Sequence, residues 1–315
     1  MNMRDATLRP FPTALEYNLA IQNCHACFRV PELQRASSLI ISRLGLPLPA
    51  AAGRFAQVYR LTDGQQEWAI RCFMHDRGPL RDRHYSAITE HLSAVQLDCL
   101  VPFRYHQEGI RVNGQWYPLV QMQWVDGQPL DEYVAAHLNQ PHRLRRIARL
   151  WLALLRRLAA RKVAHSDLQH GNVLVQNDRL MLIDYDALCV PALEGKRTAE
   201  LGHRNYQHPL PTKQTYSLQA DHFPGWIIYI SLLALSEAPD LWDRYDGERL
   251  IFGEDDLKRP GETEVWRRLQ ACSPAVAGHA ARLATFLQTD PANIPSPAPS
   301  GFAGWLLQLL APSAS

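Results

Sequence analysis

Two neighbouring runs dominate this sequence: His165-Ser166-Asp167-Leu168-Gln169-His170-Gly171-Asn172-Val173-Leu174-Val175 and Leu182-Ile183-Asp184-Tyr185-Asp186. The apolar segments 173–175 and 181–183 flank a polar turn at Asn177-Asp178, a pattern that predicts a short β-hairpin. A hairpin brings its two ends together. We therefore expect Asp167, Asn172 and Asp184 to lie close to one another.

This combination of side chains suits phosphoryl transfer. Two carboxylates and an amide oxygen at close quarters repel one another unless a cation lies between them, and hard divalent cations prefer such oxygen ligands. In phosphoryl transfer one carboxylate orients the nucleophile, while an Asn and an Asp hold Mg²⁺. The candidate catalytic residues are therefore Asp167, Asn172 and Asp184, and the candidate metal ligands are Asn172, Asp184 and Asp186. The alternative is that these acids are ordinary turn residues.

The order H-x-D-L-x-x-x-N, followed at hairpin spacing by D-x-D, resembles the catalytic and metal-binding core of the protein-kinase-like superfamily. The resemblance implies an α+β, two-lobed fold with a small β-rich N-lobe and a larger helical C-lobe. It also implies ATP and Mg²⁺ as cofactors. The expected domains are an N-terminal helical extension (1–48), the N-lobe (49–124), the C-lobe (125–288) and a Pro/Ala/Ser linker with a C-terminal helix (289–315).

Composition is consistent with a folded globular protein and excludes several partner classes. The 315 residues suffice for two lobes with a sizeable core, and 46% hydrophobic and 20% charged residues are typical of globular chains. The net charge of +2 is too small to indicate nucleic acid or an anionic membrane as a partner. The longest apolar run, 226–235, is about half of what spans a bilayer. No apolar signal core follows the N-terminus, so the expected compartment is the cytoplasm.

The six cysteines show no disulfide-framework pattern, and in a cytosolic chain they are expected to be reduced. Cys24-His25-Ala26-Cys27 is the one pair at metal-binding or redox spacing. A zinc site needs four ligands, and no second C-x-x-C follows. The favoured interpretation is that both cysteines are small hydrophobic residues in a packed N-terminal segment.

Capping and proline signals predict helices in the N-terminal extension. Thr13 can cap a helix from Ala14 to about Gln22. Pro31 can start a second helix that ends near Leu44. At the other end of the chain, a short amphipathic helix is expected over 302–310.

The hydrophobic period changes to two after this extension, which predicts the strands of the N-lobe. Hairpin turns are expected at Thr62-Asp63-Gly64 and at Asn113-Gly114. The second of these turns joins strands over 101–110 and 116–124. A helix over 82–95 precedes that hairpin.

In kinases the first hairpin covers the nucleotide phosphates, and the next strand presents a lysine. This chain keeps only the central glycine of the hairpin motif, Gly53, and carries Arg71 where the lysine is expected. Arginine keeps the charge and can clamp phosphate, although its planar fork adapts less well than an ammonium. The residues that the resemblance assigns to the ATP site are Gly53, Val58, Ala69, Arg71, Glu90, Met122, Gln123 and Val125.

Some of these assignments carry a specific role. Glu90 is expected to pair with Arg71, as the corresponding helix Glu pairs with the strand Lys in kinases. The alternative for Glu90 is a solvated helix residue. Gln123 and Val125 lie where the inter-lobe hinge falls, so their backbone groups are candidates for holding adenine. Arg71 leaves two interpretations open: an active enzyme with altered ATP geometry, or a domain that has lost its chemistry.

The second lobe is predicted to be helical, with long helices over 142–162 and 223–235. Asp221 precedes the second of these, and the resemblance implies that it bonds the backbone of the catalytic loop. The segment 187–209 takes the position of the activation segment. Because Ser166 replaces the Arg of the kinase HRD motif, no cation is expected to receive a phosphorylated activation loop.

A narrower resemblance rests on Ile183-Asp184-Tyr185-Asp186, Val190-Pro191-Ala192-Leu193 and Gly202-His203-Arg204-Asn205-Tyr206-Gln207-His208-Pro209. These runs resemble the kinase-like protein of a bacterial phosphorylation triad linked to tellurite resistance. The resemblance implies a serine/threonine protein kinase that acts on a protein substrate. It also implies two partners, a metal-dependent protein phosphatase and a von Willebrand A-type protein.

Two other functions stay open. A small-molecule phosphotransferase of the aminoglycoside-kinase type shares both motifs, and Gln169 slightly favours it. The Tyr206-Gln207-His208-Pro209 turn argues against it, because small-molecule kinases lack a peptide-supporting activation segment. A non-catalytic pseudokinase scaffold would keep the fold only to bind partners. An acidic open cleft would favour small cationic substrates, and a cleft unable to hold ATP would favour the scaffold.

Overall fold

The computed structural model of the chain describes residues 10–53, 55–198, 202–210 and 214–298. The protein is α+β, with an antiparallel sheet and many helices. It divides into two compact units, one formed by Met1–Glu90 with Val101–Asp126 and the other by His91–Leu100 with Gly127–Ser315. We call them the sheet unit and the helical unit. No helix among the described residues is long and apolar enough to cross a membrane.

The sheet unit is built on six described antiparallel strands, in the order β1-β3-β4-β6-β5 with β2 paired to β3. Asn113 and Gly114 connect β5 to β6 with φ angles of 49° and 82°, which confirms the predicted hairpin turn. The strands are β1 Ser37–Ser38, β2 Ala51–Ala52, β3 Ala56–Thr62, β4 Glu67–Phe73, β5 Phe103–Val112 and β6 Gln115–Gln123.

Three short helices cover one face of this sheet: α1 Ala14–Ile21, α2 Cys24–Cys27 and α3 Pro31–Gln34. Thr13 caps α1, as predicted, and the structure shows that the cap is a reciprocal capping box with Glu16. The hydroxyl of Tyr17 donates a hydrogen bond to the Phe73 carbonyl at 2.7 Å, which ties α1 to the end of β4. The N-terminal extension is thus part of the core of this unit, not an appendage to it.

The two cysteines of the C-x-x-C motif lie inside that core. Cys24 is 6% exposed and Cys27 is 4% exposed, and Cys72 of β4 belongs to the same cluster. All three are free thiols. The prediction that Cys24 and Cys27 are small hydrophobic residues in a packed segment is therefore confirmed.

The predicted long second helix is wrong, because α3 ends at Gln34 instead of near Leu44. Ser37 and Ser38 form a strand that pairs with Thr62 and Leu61 of β3. Pairing with β3 gives the backbone of Ser37 and Ser38 hydrogen-bond partners within the sheet. Serine also has a low helix propensity, so little opposes the strand conformation.

A β-bulge in β5 depends on a residue without a side chain. The register of β5 against β6 shifts between His106 and Ile110, and Gly109 lies within this shift. An added Cβ at Gly109 would lie 2.8 Å from Cδ2 of Leu119, which is fully buried, and 2.9 Å from Cβ of His106. Only glycine therefore fits here without displacing the core.

We expect Gly109→Ala to lower the free energy of unfolding by about 1–3 kcal/mol, because overpacking forces the buried Leu119 from its position. The measurement is the urea midpoint followed by tryptophan fluorescence. Gly278→Ala is the control, since an added Cβ on this residue of the helix Pro274–Phe286 would meet no atom within 4 Å. That variant should be neutral or slightly more stable. Equal midpoints for Gly109→Ala and the wild type would contradict the packing argument.

Helix α4, Pro79–Ala94, packs against β5 inside the sheet unit. The ring of Tyr85 stacks on that of Tyr105 at a centroid distance of 4.6 Å. Tyr85 and Ile88 are buried, as the predicted helix face requires. The boundary between the two units falls within this helix, after Glu90.

The helical unit is organised around α6 and α7. The indole of Trp151 on α6 is fully buried and donates a hydrogen bond to the Gly225 carbonyl of α7 at 3.0 Å. These helices begin and end close to the predicted positions. The helices of the unit are α5 Leu130–Ala136, α6 Pro141–Ala160, α7 His222–Leu235, α8 Glu254–Lys258, α9 Glu264–Gln270 and α10 Pro274–Phe286, with 3₁₀ turns at His170–Asn172, Arg204–Tyr206, Pro239–Arg244 and Pro291–Asn293.

A second, three-stranded sheet contains the hairpin predicted at the outset. Its strands are β7 Gln128–Pro129, β8 Val173–Gln176 and β9 Arg179–Leu182. Asn177 and Asp178 turn between β8 and β9 with φ angles of 47° and 59°, values that asparagine and aspartate tolerate better than most residues. The hairpin prediction is confirmed.

The segment predicted as a Pro/Ala/Ser linker packs against α7 as far as residue 298. Ile294 and Ala298 are each 2% exposed. The carbonyl of Pro295 accepts a hydrogen bond from the Trp226 indole at 2.9 Å, and that of Ile294 lies 2.7 Å from the His222 ring. A proline-rich composition does not reveal such contacts. The helix predicted over 302–310 lies outside the described residues.

Candidate functional site

The start of the catalytic-loop motif is held by one buried carboxylate. Asp221, at the N-terminus of α7, accepts a hydrogen bond from the backbone N–H of His165 at 2.6 Å and from that of Ser166 at 2.8 Å. Ser166 has a φ of 65°, an unusual conformation that these bonds help to hold. The predicted bonding of the loop backbone by Asp221 is confirmed.

The burial of Asp221 has an electrostatic cost. Loss of solvent raises the pKa of its carboxyl, while the nearby His165 and the two N–H donors act in the opposite direction. The two hydrogen bonds that the buried Asp221 carboxylate accepts therefore stabilise the backbone of the loop.

Asp167 is the centre of the candidate site, and two separate elements fix its carboxylate. One oxygen accepts a hydrogen bond from the backbone N–H of His203 at 2.9 Å, and the other accepts from the Asn172 amide at 3.2 Å. The same amide nitrogen donates to the Asp167 carbonyl at 2.9 Å. Since both bonds use the nitrogen of Asn172, the amide oxygen is the atom of this side chain suited to a cation.

Asp184 is joined to this cluster through the backbone. The N–H of Ile183 donates to the Asn172 carbonyl at 3.1 Å, which fixes the start of the D-x-D turn beside the loop. Asp184 has a φ of 65°, and one of its carboxylate oxygens accepts the Asp186 N–H at 3.4 Å. The hairpin therefore brings Asn172 and Asp184 together, as the sequence suggested.

The carboxylate of Asp184 acts electrostatically on that of Asp167. Burial raises the pKa of Asp167, His165 opposes this effect, and the negative charge of Asp184 raises the pKa further. A cation near both carboxylates would relieve this repulsion.

The donor set fits a hard divalent cation in its chemistry, because it contains only carboxylate and amide oxygens. No group of three or more His, Cys, Asp and Glu side chains is arranged to hold a metal ion in the described ranges. A cation here would therefore depend on Asn172, Asp184 and Asp186 together with phosphate oxygens and water, which is how Mg²⁺ is usually bound.

The segment that follows the D-x-D turn folds back onto Asp167 at Gly202. Gly202 has a φ of 74°, and an added Cβ there would lie 3.1 Å from the Ser166 carbonyl oxygen and 3.2 Å from an Asp167 carboxylate oxygen. The side chain of Gln207 donates to the Gly202 carbonyl at 2.7 Å and stabilises this turn. A glycine is needed here for both conformation and close approach.

The side chain of His170 contacts the segment that contains Gly202 and Tyr206. Its Nδ1 lies 2.6 Å from the Tyr206 hydroxyl, and its Nε2 lies 3.3 Å from the Gly247 carbonyl. Because a carbonyl only accepts, Nε2 carries the proton and Nδ1 accepts from the tyrosine. The neutral imidazole thus connects the loop 165–172, the segment around Gly202 and the loop that contains Gly247.

Stability is expected to fall on acidification through the buried histidines. Burial lowers the pKa of His170, His208 and His279 below the ordinary value of 6.5. As the pH falls through about 6.5, the unfolded chain binds protons that the folded chain does not, so stability is lost. The raised pKa values of Asp167 and Asp221 act in the opposite direction, because the folded chain then binds protons first.

We expect the urea midpoint to be lower at about pH 5.5 than at about pH 7.5, with a smaller decrease in His170→Asn. Asparagine keeps one donor and one acceptor for the partners of His170 but does not titrate. An equal decrease in the variant and the wild type would contradict the role assigned to His170.

A pocket opens beside Asp167 within the helical unit. Its volume is about 390 Å³, in the range of ligand pockets. Its walls come from the loop 165–172, the segment around Gly202, the residues before and at the start of α7, and the turn at 290–292. The pocket therefore joins the candidate catalytic carboxylate to a space in which an acceptor could bind.

The sheet unit places four of the predicted nucleotide-binding residues on one face. Val58 pairs with Arg71 and Ala69 pairs with Met122 across β3, β4 and β6. Residues 69 and 71 share a face because side chains alternate along a strand. The opposite face carries Ile70 and the core with the N-terminal helices.

Gly53 lies in the turn between β2 and β3, where its N–H donates to the Ala56 carbonyl at 3.0 Å. An added Cβ would meet only that oxygen, at 3.6 Å. Near the end of β6, the N–H of Gln123 donates to the Pro102 carbonyl at 3.3 Å. Because that N–H already donates a hydrogen bond within the protein, the backbone groups left as candidates for binding adenine are the Gln123 carbonyl and those of Val125.

The predicted ion pair between Glu90 and Arg71 is not among those formed by the described residues. Glu90 is exposed on α4, whereas Ile88 is fully buried. Two residues along a helix correspond to a rotation of about 200°, which turns Glu90 away from the packed face. The alternative interpretation, a solvated helix glutamate, describes Glu90 in this structure.

The backbone contact of His203 with Asp167 and the bridge formed by His170 were not predicted. Both join positions separated by 36 residues. Gly202 was the only feature of the sequence that could have suggested these contacts. A single glycine indicates an unusual backbone conformation or a close approach, but it does not show which residue lies opposite it.

No family model matches this chain, and no match appears among curated proteins.

Proposed function

We propose that this chain is an ATP- and Mg²⁺-dependent phosphotransferase that acts on serine or threonine hydroxyls of a protein. The observation that carries the proposal is the environment of Asp167. Its carboxylate is held by the His203 N–H and the Asn172 amide and is electrostatically linked to Asp184. Phosphoryl transfer needs such a fixed carboxylate next to candidate ligands for a divalent cation.

Each residue of the cluster has a role in this proposal. Asp167 orients the acceptor hydroxyl and takes its proton late in the transfer. The amide oxygen of Asn172 and the carboxylate of Asp184 would hold Mg²⁺, and Asp186 would supply a further ligand. When bound, Mg²⁺ neutralises charge on the phosphates. The bonds from Asp221 keep the loop in place, so the protein contributes positioning as much as charge.

The sheet unit would bind the nucleotide through the face that carries Val58, Ala69, Arg71 and Met122. Arg71 would contact phosphate, and Gly53 would let the backbone of the hairpin approach the phosphates. In this proposal the sheet unit is the N-lobe and the helical unit the C-lobe of a kinase-like fold.

The resemblance to the tellurite-linked bacterial triad extends the proposal to its partners. A protein phosphatase that depends on a metal would remove the phosphate, and a von Willebrand A-type protein would be a further partner. These two proteins are the first substrates to test.

The test is the intact mass of the full chain after incubation with ATP and Mg²⁺, with and without a serine/threonine peptide library, beside Asp167→Ala. Phosphate added by the wild type to itself or to peptides, but not by Asp167→Ala, would support the proposal. Thermal unfolding of both proteins shows that the variant is folded. Absence of transfer to every acceptor, together with no detectable ATP binding, would favour the non-catalytic scaffold.

A further inference from the structure

We infer that the pocket beside Asp167 selects a cationic peptide segment, with Asp290 as a specificity-determining residue. The inference rests on the proposed function, because it assigns the acceptor of that same site. It starts from the charge of the pocket. Asp167 and Asp290 both line it, and no lysine or arginine is among the described residues that do.

The histidines of the pocket do not offset this negative charge. His208 accepts a hydrogen bond from the Leu210 N–H at 3.1 Å through Nδ1, and its Nε2 donates to the Phe286 carbonyl at 3.0 Å. Both nitrogens are thus used by the neutral ring, and burial lowers the pKa of His208.

Both ring nitrogens of His203 also have hydrogen-bond partners. Its Nδ1 accepts from the Asn205 N–H at 3.3 Å, and its Nε2 lies 2.9 Å from the Glu248 carboxylate. The accepting Nδ1 is unprotonated, so this imidazole also brings no positive charge in the observed geometry. The described lining therefore carries two carboxylates and no cation.

The rest of the lining suits the stem of a long basic side chain. Phe223, Pro224, Pro291 and Ala292 supply apolar surface beside Asp290. Lysine and arginine lay their methylene groups along such surfaces and keep the charged group at a polar edge. One oxygen of Asp290 accepts the Ala292 N–H at 2.9 Å, which fixes the carboxylate at that edge.

These observations together define the acceptor. The hydroxyl would lie at Asp167, and a nearby lysine or arginine of the same segment would reach Asp290. An acidic residue at that position would meet the carboxylates of Asp167 and Asp290, with no lysine or arginine in the described part of the lining to offset them, so the pocket would disfavour it.

The experiment measures direct binding of fluorescent peptides to the full chain by anisotropy, without nucleotide. The peptides share one serine and differ only in having lysine, glutamine or glutamate at the flanking positions. We expect the lysine peptide to bind about tenfold tighter than the glutamate peptide at low salt, with a smaller difference at high salt. Asp290→Asn should reduce this preference several-fold, and Asp290→Lys should abolish or reverse it.

Glu262→Gln is the control, because it removes the same charge from an exposed residue of the helical unit that does not line the pocket. Its preference should equal that of the wild type. Equal binding of all peptides, or equal effects of Asp290→Asn and Glu262→Gln, would overturn the inference.

Two further arms separate this inference from the proposed function. Phosphate transfer to the same peptides is followed by mass, and ATP binding is measured in parallel. Selective binding of the lysine peptide with neither transfer nor ATP binding would contradict the kinase proposal and leave the peptide preference of the pocket established. Kanamycin serves as a cationic small-molecule probe. If kanamycin is phosphorylated and the lysine peptide does not bind, the acceptor is not a peptide and the inference fails.

Discussion

Asp184→Asn is expected to lower the rate of phosphoryl transfer by roughly three orders of magnitude or more, because the variant loses the carboxylate that would hold Mg²⁺ against the phosphates. Asparagine tolerates the φ of 65° found at this position, so the turn should keep its shape. The measurement is the initial rate of phosphate incorporation at several Mg²⁺ concentrations, because weaker metal binding raises the concentration that is needed for activity.

The hairpin supplies a matched control in Asp178→Asn. Asp178 lies in the turn at the other end of the same hairpin, with a similar φ of 59°, and its exposed carboxylate is 3.1 Å from Arg146. This variant makes the same chemical change and should keep the wild-type rate within about twofold, since exposed ion pairs contribute little. If Asp184→Asn also kept the wild-type rate, the metal role of Asp184 would be excluded.

Asp221→Ala is expected to lower the free energy of unfolding by about 2–5 kcal/mol and to abolish transfer. Two N–H groups, of His165 and Ser166, would lose their buried acceptor, and each such loss costs about 1–3 kcal/mol. The raised pKa of Asp221 indicates that burial of its charge is itself unfavourable. The expected loss of stability is therefore smaller than the summed cost of the two lost hydrogen bonds. The measurement is urea unfolding followed by circular dichroism.

Asp221→Asn should recover little of this loss, because its side chain offers one acceptor oxygen where two donors converge. Asp240→Ala is the control for removal of an acid in the helical unit. Asp240 forms an exposed ion pair with Arg268 at 2.5 Å, and its loss should change stability by at most about 1 kcal/mol. Similar urea midpoints for Asp221→Ala and Asp240→Ala would show that the loop does not depend on Asp221.

Local signals predicted the regular elements well where they specified backbone conformation. The helix cap at Thr13, the Asn113-Gly114 turn and the Asn177-Asp178 turn all occur where expected. In each of these, neighbouring residues both favour the conformation and supply the hydrogen bonds that it needs. Such caps and turns can therefore be predicted without knowledge of the tertiary structure.

Predictions failed where a distant partner decided the conformation. The segment at Ser37 and Ser38 became a strand because β3 was available to pair with it. Ile294 is buried because α7 lies beside it, although the composition around it suggested a linker. Glu90 had the expected position in the chain but lies on the exposed side of its helix.

The sequence by itself determined which chemical groups meet at the hairpin: the spacing of Asp167, Asn172 and Asp184 across β8 and β9 required their proximity. Only the tertiary structure decided how Asp167 is held and what adjoins it. The His203 N–H, the Asp221 carboxylate and the pocket lined by Asp167 and Asp290 come from segments far apart in the chain. Short-range geometry is fixed by backbone conformation and turn chemistry, whereas contacts between distant segments depend on how whole elements pack, which no local pattern encodes.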